Sequence, residues 1–203
     1  MRPAQVFDLT VALEYGLFHL SGDPLVDAAV DALDGVVDEA VAGQGIASTP
    51  GNEYVVVRSP HQNNFVMRLR VEVWPVEPPD DLDHWQEAFD TGLVVGAGGL
   101  VFETPTAESQ VVPVPPGRYA VRITGRGFVR RGWPGSTTPG DEWRLQLWPA
   151  RDPVRPRRLR AWKDPEAALA MEGSGWAGDL DQLRAPDVIP WLGDATGEPF
   201  QDG

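Results

Sequence analysis

At 203 residues and 42% hydrophobic content, the chain suits one globular domain with an appended segment, and it has enough apolar residues for a sizeable core. It contains no cysteine, which excludes disulfides, thiolate metal sites and cysteine nucleophiles. The formal charge of −13 disfavours nucleic acid and anionic membrane as partners and favours basic ones, although solubility alone is a sufficient reason for such a balance.

The start, MRPAQVFDLTVALEYGLF, carries Asp8 and Glu14 and lacks the apolar run of a signal peptide. No window approaches the roughly 18 apolar residues of a membrane span, so the expected location is the bacterial cytoplasm. Gln5–Leu13 (QVFDLTVAL) sets Phe7, Leu9, Val11 and Leu13 on one face at period two and predicts a strand, with Tyr15–Leu20 as its partner. From Asp23 to Gln44 the period changes. Leu25, Ala29, Leu33, Val36, Val37 and Ala40 recur at three- and four-residue steps and predict an amphipathic helix. Asp23 is its N-cap, Pro24 its first helical residue, and Gly43 and Gly45 its stop signals. Gly35 weakens the middle by about 1 kcal/mol relative to alanine, which leaves two shorter helices as an alternative.

Glu53–Arg58 and Asn64–Trp74 are the clearest strands. In the second, Phe65, Met67, Leu69, Val71 and Val73 share one face and Arg68, Arg70 and Glu72 the other. Asp83–Phe89 predicts a short helical turn with Trp85 and Phe89 one turn apart. Leu93–Val95 and Leu100–Glu103 flank a Gly-Ala-Gly-Gly turn, and Gln110–Val114 follows. Tyr119–Ile123 and Glu142–Trp148, opened by a Pro-Pro-Gly turn, have the pattern of an antiparallel hairpin with one buried face. Trp143 and Trp148, five residues apart, must then point to opposite faces, one of them outward or under the tail. The expected body is 1–150, mainly β: an antiparallel β-sandwich or curved sheet with one N-terminal helix over about 23–44. The remainder, 151–203, begins basic and proline-interrupted at Arg151–Lys163, with a short helix over 165–172. Its Trp162, Trp176 and Trp191 predict an irregular tail packed on the body.

No catalytic constellation stands out. His19, His61 and His84 are scattered without metal-ligand spacing, so neither a metal site nor a cofactor is expected, and each reads as a strand, loop or helix-start residue. Ser59–Asn64 joins two strong strands and suits either a tight turn or a binding loop. The run 125–133 (GRGFVRRGW) mixes arginine with aromatics. It gives Arg126, Arg130, Arg131 and Trp133 as a candidate anion or ligand loop, the other reading being that its arginines pair with acids of the N-terminal half or the tail. Asp27, Asp31, Asp34 and Asp38 follow i, i+4, i+7, i+11, so one helix would line all four along one face. Such a stripe is either a solvated surface or a face presented to a basic protein.

Trp85, a Gly-bounded strand pair, then Pro115-Pro116-Gly117, Tyr119, Val121 and Arg122, and finally Trp143, Leu145 and Leu147 resemble the pattern of the ComJ-like proteins, the competence protein J family of DNA-entry nuclease inhibitors. The resemblance covers roughly 69–149 and leaves the helix at 23–44 and the tail unmatched. It implies a β-sandwich-like inhibitor or immunity-type protein, not an enzyme, and it brings no catalytic residues. The leading expectation is therefore a non-enzymatic, cytoplasmic protein-binding role towards a basic nuclease or toxin, through the aspartate stripe. The alternative is a small-ligand or carbohydrate-binding β-domain that uses outward tryptophans and the arginine loop.

Overall fold

A computed structural model describes residues 2–23, 27–61, 63–129 and 140–163. Pro24, the helix expected over 165–172, Trp176 and Trp191 lie outside the described residues. The elements run β1 (Gln5–Leu13), β2 (Leu17–Asp23), α1 (Asp27–Val30), α2 (Leu33–Ala42), β3 (Ile46–Ser48), β4 (Tyr54–Arg58) and β5 (Asn64–Val73). A 3-10 turn (Leu82–His84) leads into β6 (Glu87–Val95), β7 (Gly99–Glu103), β8 (Gln110–Val112), β9 (Gly117–Arg126), β10 (Glu142–Pro149) and β11 (Arg157–Arg160). The protein is mainly β, as expected.

Period-two alternation builds two sheets whose apolar faces meet. The larger has the order β1-β5-β10-β9-β6-β11, the smaller β3-β4-β2-β7-β8. Met67, Leu69 and Val71 of β5, Val121 and Ile123 of β9, and Trp143, Leu145 and Leu147 of β10 point inward, against Phe18, Leu20, Val55, Val57, Leu100 and Phe102 of the smaller sheet. Phe18 stacks on Phe102 at 5.3 Å and meets the edge of Trp143 at 5.1 Å, which centres the core on that tryptophan. Gly99 has φ 108°, and a Cβ there would come within 2.5 Å of the Val112 carbonyl, so the close β7–β8 approach needs glycine.

The predicted β9–β10 hairpin is present, pairing Trp143 with Gly125 and Leu147 with Val121. Trp148 faces outward beneath Arg122, whose guanidinium carbon lies 5.6 Å from the indole centre, while Trp143 is buried. Several expectations are corrected. β2 is not the partner of β1: Tyr15 (φ 55°) and Gly16 (φ 68°) turn the chain out of the larger sheet, and β2 pairs with β4 and β7 in the other. The larger sheet is mixed, because β10 runs parallel to β5. Phe89 belongs to strand β6 rather than to a helical turn with Trp85. β3 was not anticipated, and the start of the supposedly irregular tail is strand β11, antiparallel to β6.

The helical segment is broken, though not at Gly35. Residues Asp31 and Ala32 form a turn, α2 starts with Ala32 as an N-cap that offers no side-chain hydrogen bond, and Gly35 sits inside α2 with open space around it. The break lets Ala29 of α1 and Val36 and Ala40 of α2 all pack on Ala47, Tyr54 and Val56, the outer face of the smaller sheet.

Candidate functional site

The outer face of the larger sheet is a lattice of charge arranged in cross-strand rows. Residues opposite each other in neighbouring strands sit about 5 Å apart at Cβ, close enough for ion pairs. One row runs Thr10, Arg68, Glu142, Arg126 across β1, β5, β10 and β9. The next runs Asp8, Arg70, Arg144, Thr124, and the third Glu72, Gln146, Arg122, Asp90, Arg157.

Arginine neutralises almost every acid on this face. Arg70 Nη1 donates to Asp8 at 2.9 Å and its Nε to Glu72 at 2.8 Å. Arg122 Nε donates to Asp90 at 3.0 Å, and Arg157 reaches the second Asp90 oxygen at 2.8 Å. Arg158 pairs with Glu87 and Arg126 with Glu142. Burial would raise the Glu72 pKa, but hydrogen bonds from Arg70, Gln146 and Trp74 outweigh it and hold the carboxyl below its usual range.

The connection between β5 and β6 lies across this face. Arg144 clamps Asp81 with two 2.7 Å hydrogen bonds, which lower the Asp81 pKa. Trp85 follows, buried, with Arg126 and Arg144 guanidinium carbons 4.7 and 4.4 Å from its ring centre. Its indole N–H faces Asp81 and adds to the lowering of that pKa, but it is too poorly placed to count as a hydrogen bond. Between this connection and β1 lies a cleft of about 700 Å³, lined by Thr10, Arg68, Arg70, Arg126, Arg144 and Trp85 among others.

A second polar centre locks the end of the sandwich. His61, expected as a plain loop residue, is buried; its Nδ1 donates to Asp141 at 3.2 Å, and its Nε2 lies 2.7 Å from the Val129 carbonyl and 3.0 Å from the Val129 N. Burial opposes its charge, but Asp141 and the Val129 carbonyl prevail, so its pKa is raised above 6.5. Asp141 also accepts from Asn64 Nδ2 at 2.5 Å and Trp143 Nε1 at 3.2 Å. On the smaller sheet Tyr54 donates its hydroxyl to His19 Nδ1 at 2.6 Å. Burial lowers the His19 pKa, while burial and then the nearby Glu103 raise that of Tyr54.

Asp27, Asp31, Asp34 and Asp38 are all exposed, but the break splits them into two pairs: Asp27 and Asp31, joined by the helical hydrogen bond from Asp31 N to the Asp27 carbonyl at 3.1 Å, and Asp34 and Asp38, at i, i+4 on α2. With Glu39 they form an acidic surface in which none of the five carboxylates makes a hydrogen bond or ion pair among the described residues. Arg126 ends β9 and turns onto Trp85 and Glu142, so its partner is an acid of the hairpin rather than of the N-terminal half or tail. Arg130, Arg131 and Trp133 lie outside the described residues. Among those residues no group of three or more His, Asp or Glu side chains is placed to hold a metal ion.

Two solved structures are similar to this chain. One, described as crocagin biosynthetic gene J, matches with a TM-score of 0.48 at 18% identity, over 72% of this chain and 98% of its own. The other is ComJ of Bacillus subtilis, described as an inhibitor of the DNA-degrading activity of NucA, with a TM-score of 0.45 at 11% identity, over 73% of this chain and 98% of its own. The chain resembles ComJ in its backbone. At these values the likeness concerns the course of the chain and not what it binds. No protein-family model matches the chain, and no curated protein matches it.

Proposed function

We propose that this protein is a non-enzymatic binding protein of the inhibitor or immunity type, which docks a basic protein partner, a nuclease or toxin, through the α1–α2 surface. One contrast carries the reading. On the outer sheet face Asp8, Glu72, Asp81, Glu87, Asp90 and Glu142 are each held by an arginine, whereas Asp27, Asp31, Asp34, Asp38 and Glu39 make no ion pair among the described residues. The whole segment 23–44 contains no Lys or Arg. Uncompensated charge of one sign attracts an oppositely charged surface and accelerates encounter. The inhibitory role described for ComJ is in keeping with this reading, which rests on the charge distribution and not on that likeness.

The test is capture at low salt from a lysate of the source organism, using the wild-type chain and an Asp27→Asn, Asp31→Asn, Asp34→Asn, Asp38→Asn variant side by side. The basic protein retained by the wild type is then purified and its association rate measured against both baits. Association about tenfold slower for the variant at low salt, with the gap closing at high salt, supports the docking face. Equal rates at all salt concentrations refute it.

A further inference from the structure

The arginine cleft on the opposite side of the molecule is independent of the helical surface, and its polar groups are unevenly committed. Four arginines from three adjacent strands line it: Arg68 and Arg70 of β5, Arg144 of β10 and Arg126 of β9. The carboxylates around them are already occupied. Asp81 takes both hydrogen bonds of the Arg144 fork, and Glu72 accepts from Arg70, from Trp74 Nε1 at 2.9 Å and from Gln146 Nε2 at 3.0 Å. Asp8 is held by Arg70 and Glu142 by Arg126. The donors are not exhausted. Arg68 projects from its row, exposed, and makes no hydrogen bond or ion pair among the described residues; the Thr10 hydroxyl beside it makes none either, and the His84 ring across the cleft is likewise without a hydrogen bond, its charge felt only at Asp81.

A cleft whose acceptors are satisfied and which keeps an uncommitted guanidinium, that of Arg68, has capacity for an acceptor-rich occupant. The planar guanidinium fork matches two oxygens of a carboxylate or phosphate. A volume of about 700 Å³ lies within the range of small-molecule sites. The guanidinium groups of Arg126 and Arg144 already cover the Trp85 ring, so this tryptophan forms a wall and is not a stacking platform for a sugar or base. The geometry points to a site for a small, multiply charged oxyanion, a phosphate- or carboxylate-bearing molecule gripped by Arg68 with Thr10 and His84 at its sides. The neutralised arginines around it hold the net positive potential down, so the affinity is modest, with a Kd on the order of 1 mM or below.

Isothermal titration of the full chain with pyrophosphate, and separately with citrate, at low ionic strength tests this. The expected result is saturable one-to-one binding of at least one of the two. Arg68→Gln weakens it about tenfold or more through loss of a charge-assisted pair, and Thr10→Val weakens it a few-fold. Arg151→Gln, an exposed arginine outside the cleft, leaves it unchanged. Arg68 makes no hydrogen bond or ion pair among the described residues, so its variant is expected to melt with the wild type, and Thr10→Val gives a second, nearly isosteric reading. No saturable binding, binding indifferent to Arg68→Gln and Thr10→Val, or equal loss in Arg151→Gln overturns the assignment. The Asp→Asn variant of the helical surface binds these anions as the wild type does, so the two proposals fail separately.

Discussion

Replacing Asp141 by alanine tests the account of the buried polar centre most directly. Its side chain is wholly buried, and it receives His61 Nδ1, Asn64 Nδ2 and Trp143 Nε1. Alanine leaves all three donors without that acceptor, and His61 retains only the Val129 backbone, at 2.7 Å from its Nε2. An unsatisfied buried donor costs about 1–3 kcal/mol, and breaking a buried ion pair by removing one partner costs about 3–5 kcal/mol. The three donors share one site and do not add, so the expected loss is about 3–5 kcal/mol, roughly a 10 °C fall in melting temperature for a chain of this size. The effect depends on pH with a defined sign. The His61 pKa is raised in the folded state, so its contribution is complete below 6.5, the unfolded value, and fades as pH rises through the higher folded value. Urea unfolding of wild type and Asp141→Ala at pH 5.5, 7 and 8.5 should therefore show a stability gap that is widest at the acid end. A gap below about 1 kcal/mol, or one that grows with pH, would refute the reasoning.

Three further outcomes follow from the geometry. Tyr15 is exposed and held at φ 55°, so Tyr15→Gly relieves left-handed strain and leaves stability unchanged or raises it by up to about 1 kcal/mol, measured by denaturant midpoint; a clear loss would mean that the ring holds the β1–β2 turn. His19 has a lowered pKa and accepts from Tyr54, so acidification from pH 7 protonates the unfolded chain first and erodes stability. His19→Phe flattens that limb of the stability–pH curve, and an unchanged slope would exclude His19 as its source. Arg144 carries both the Asp81 clamp and one contact to Trp85, so Arg144→Met costs about 1–3 kcal/mol and speeds amide exchange at 81–86. Exchange that stays slow there would show that the connection holds its place without the clamp.

Strands with one buried face were legible from the sequence. β1, β5, β9 and β10 fall within a few residues of the alternating runs, because the core forces every second side chain inward, and Arg68, Arg70 and Glu72 fell on the outward face of β5 for the same reason; β4, covered on both faces, shows instead as the unbroken apolar run Tyr54–Val57. β3 and β11, three and four residues long, have no room for a period to show and owe their place to the strands they border. The candidate site was hidden more deeply. The aspartate positions were readable, but the turn at Asp31–Ala32 that divides them follows from seating Ala29, Val36 and Ala40 together on the smaller sheet. The cleft depends on the register between β5 and β10, which sets Arg68 opposite Glu142 across a long stretch of chain, and no local pattern encodes that pairing. His61 reads as a loop residue for the same reason: its partner Asp141 is distant in sequence and sits just before β10 without a signal of its own.

The parallel pairing of β10 with β5 also shapes how the chain must fold. Within the larger sheet, β1 and β5 form one half and β9, β6 and β11 the other, and β10 alone bridges them. On a ribosome the first half is synthesised long before its neighbour exists, and its open β5 edge waits for residues 142–149. Closure of that edge is a non-local event late in synthesis, which favours slow folding and gives the unfinished chain a sticky flank that chaperones must shield. A strand that looks like half of a simple hairpin is thus the step on which completion of the sheet depends.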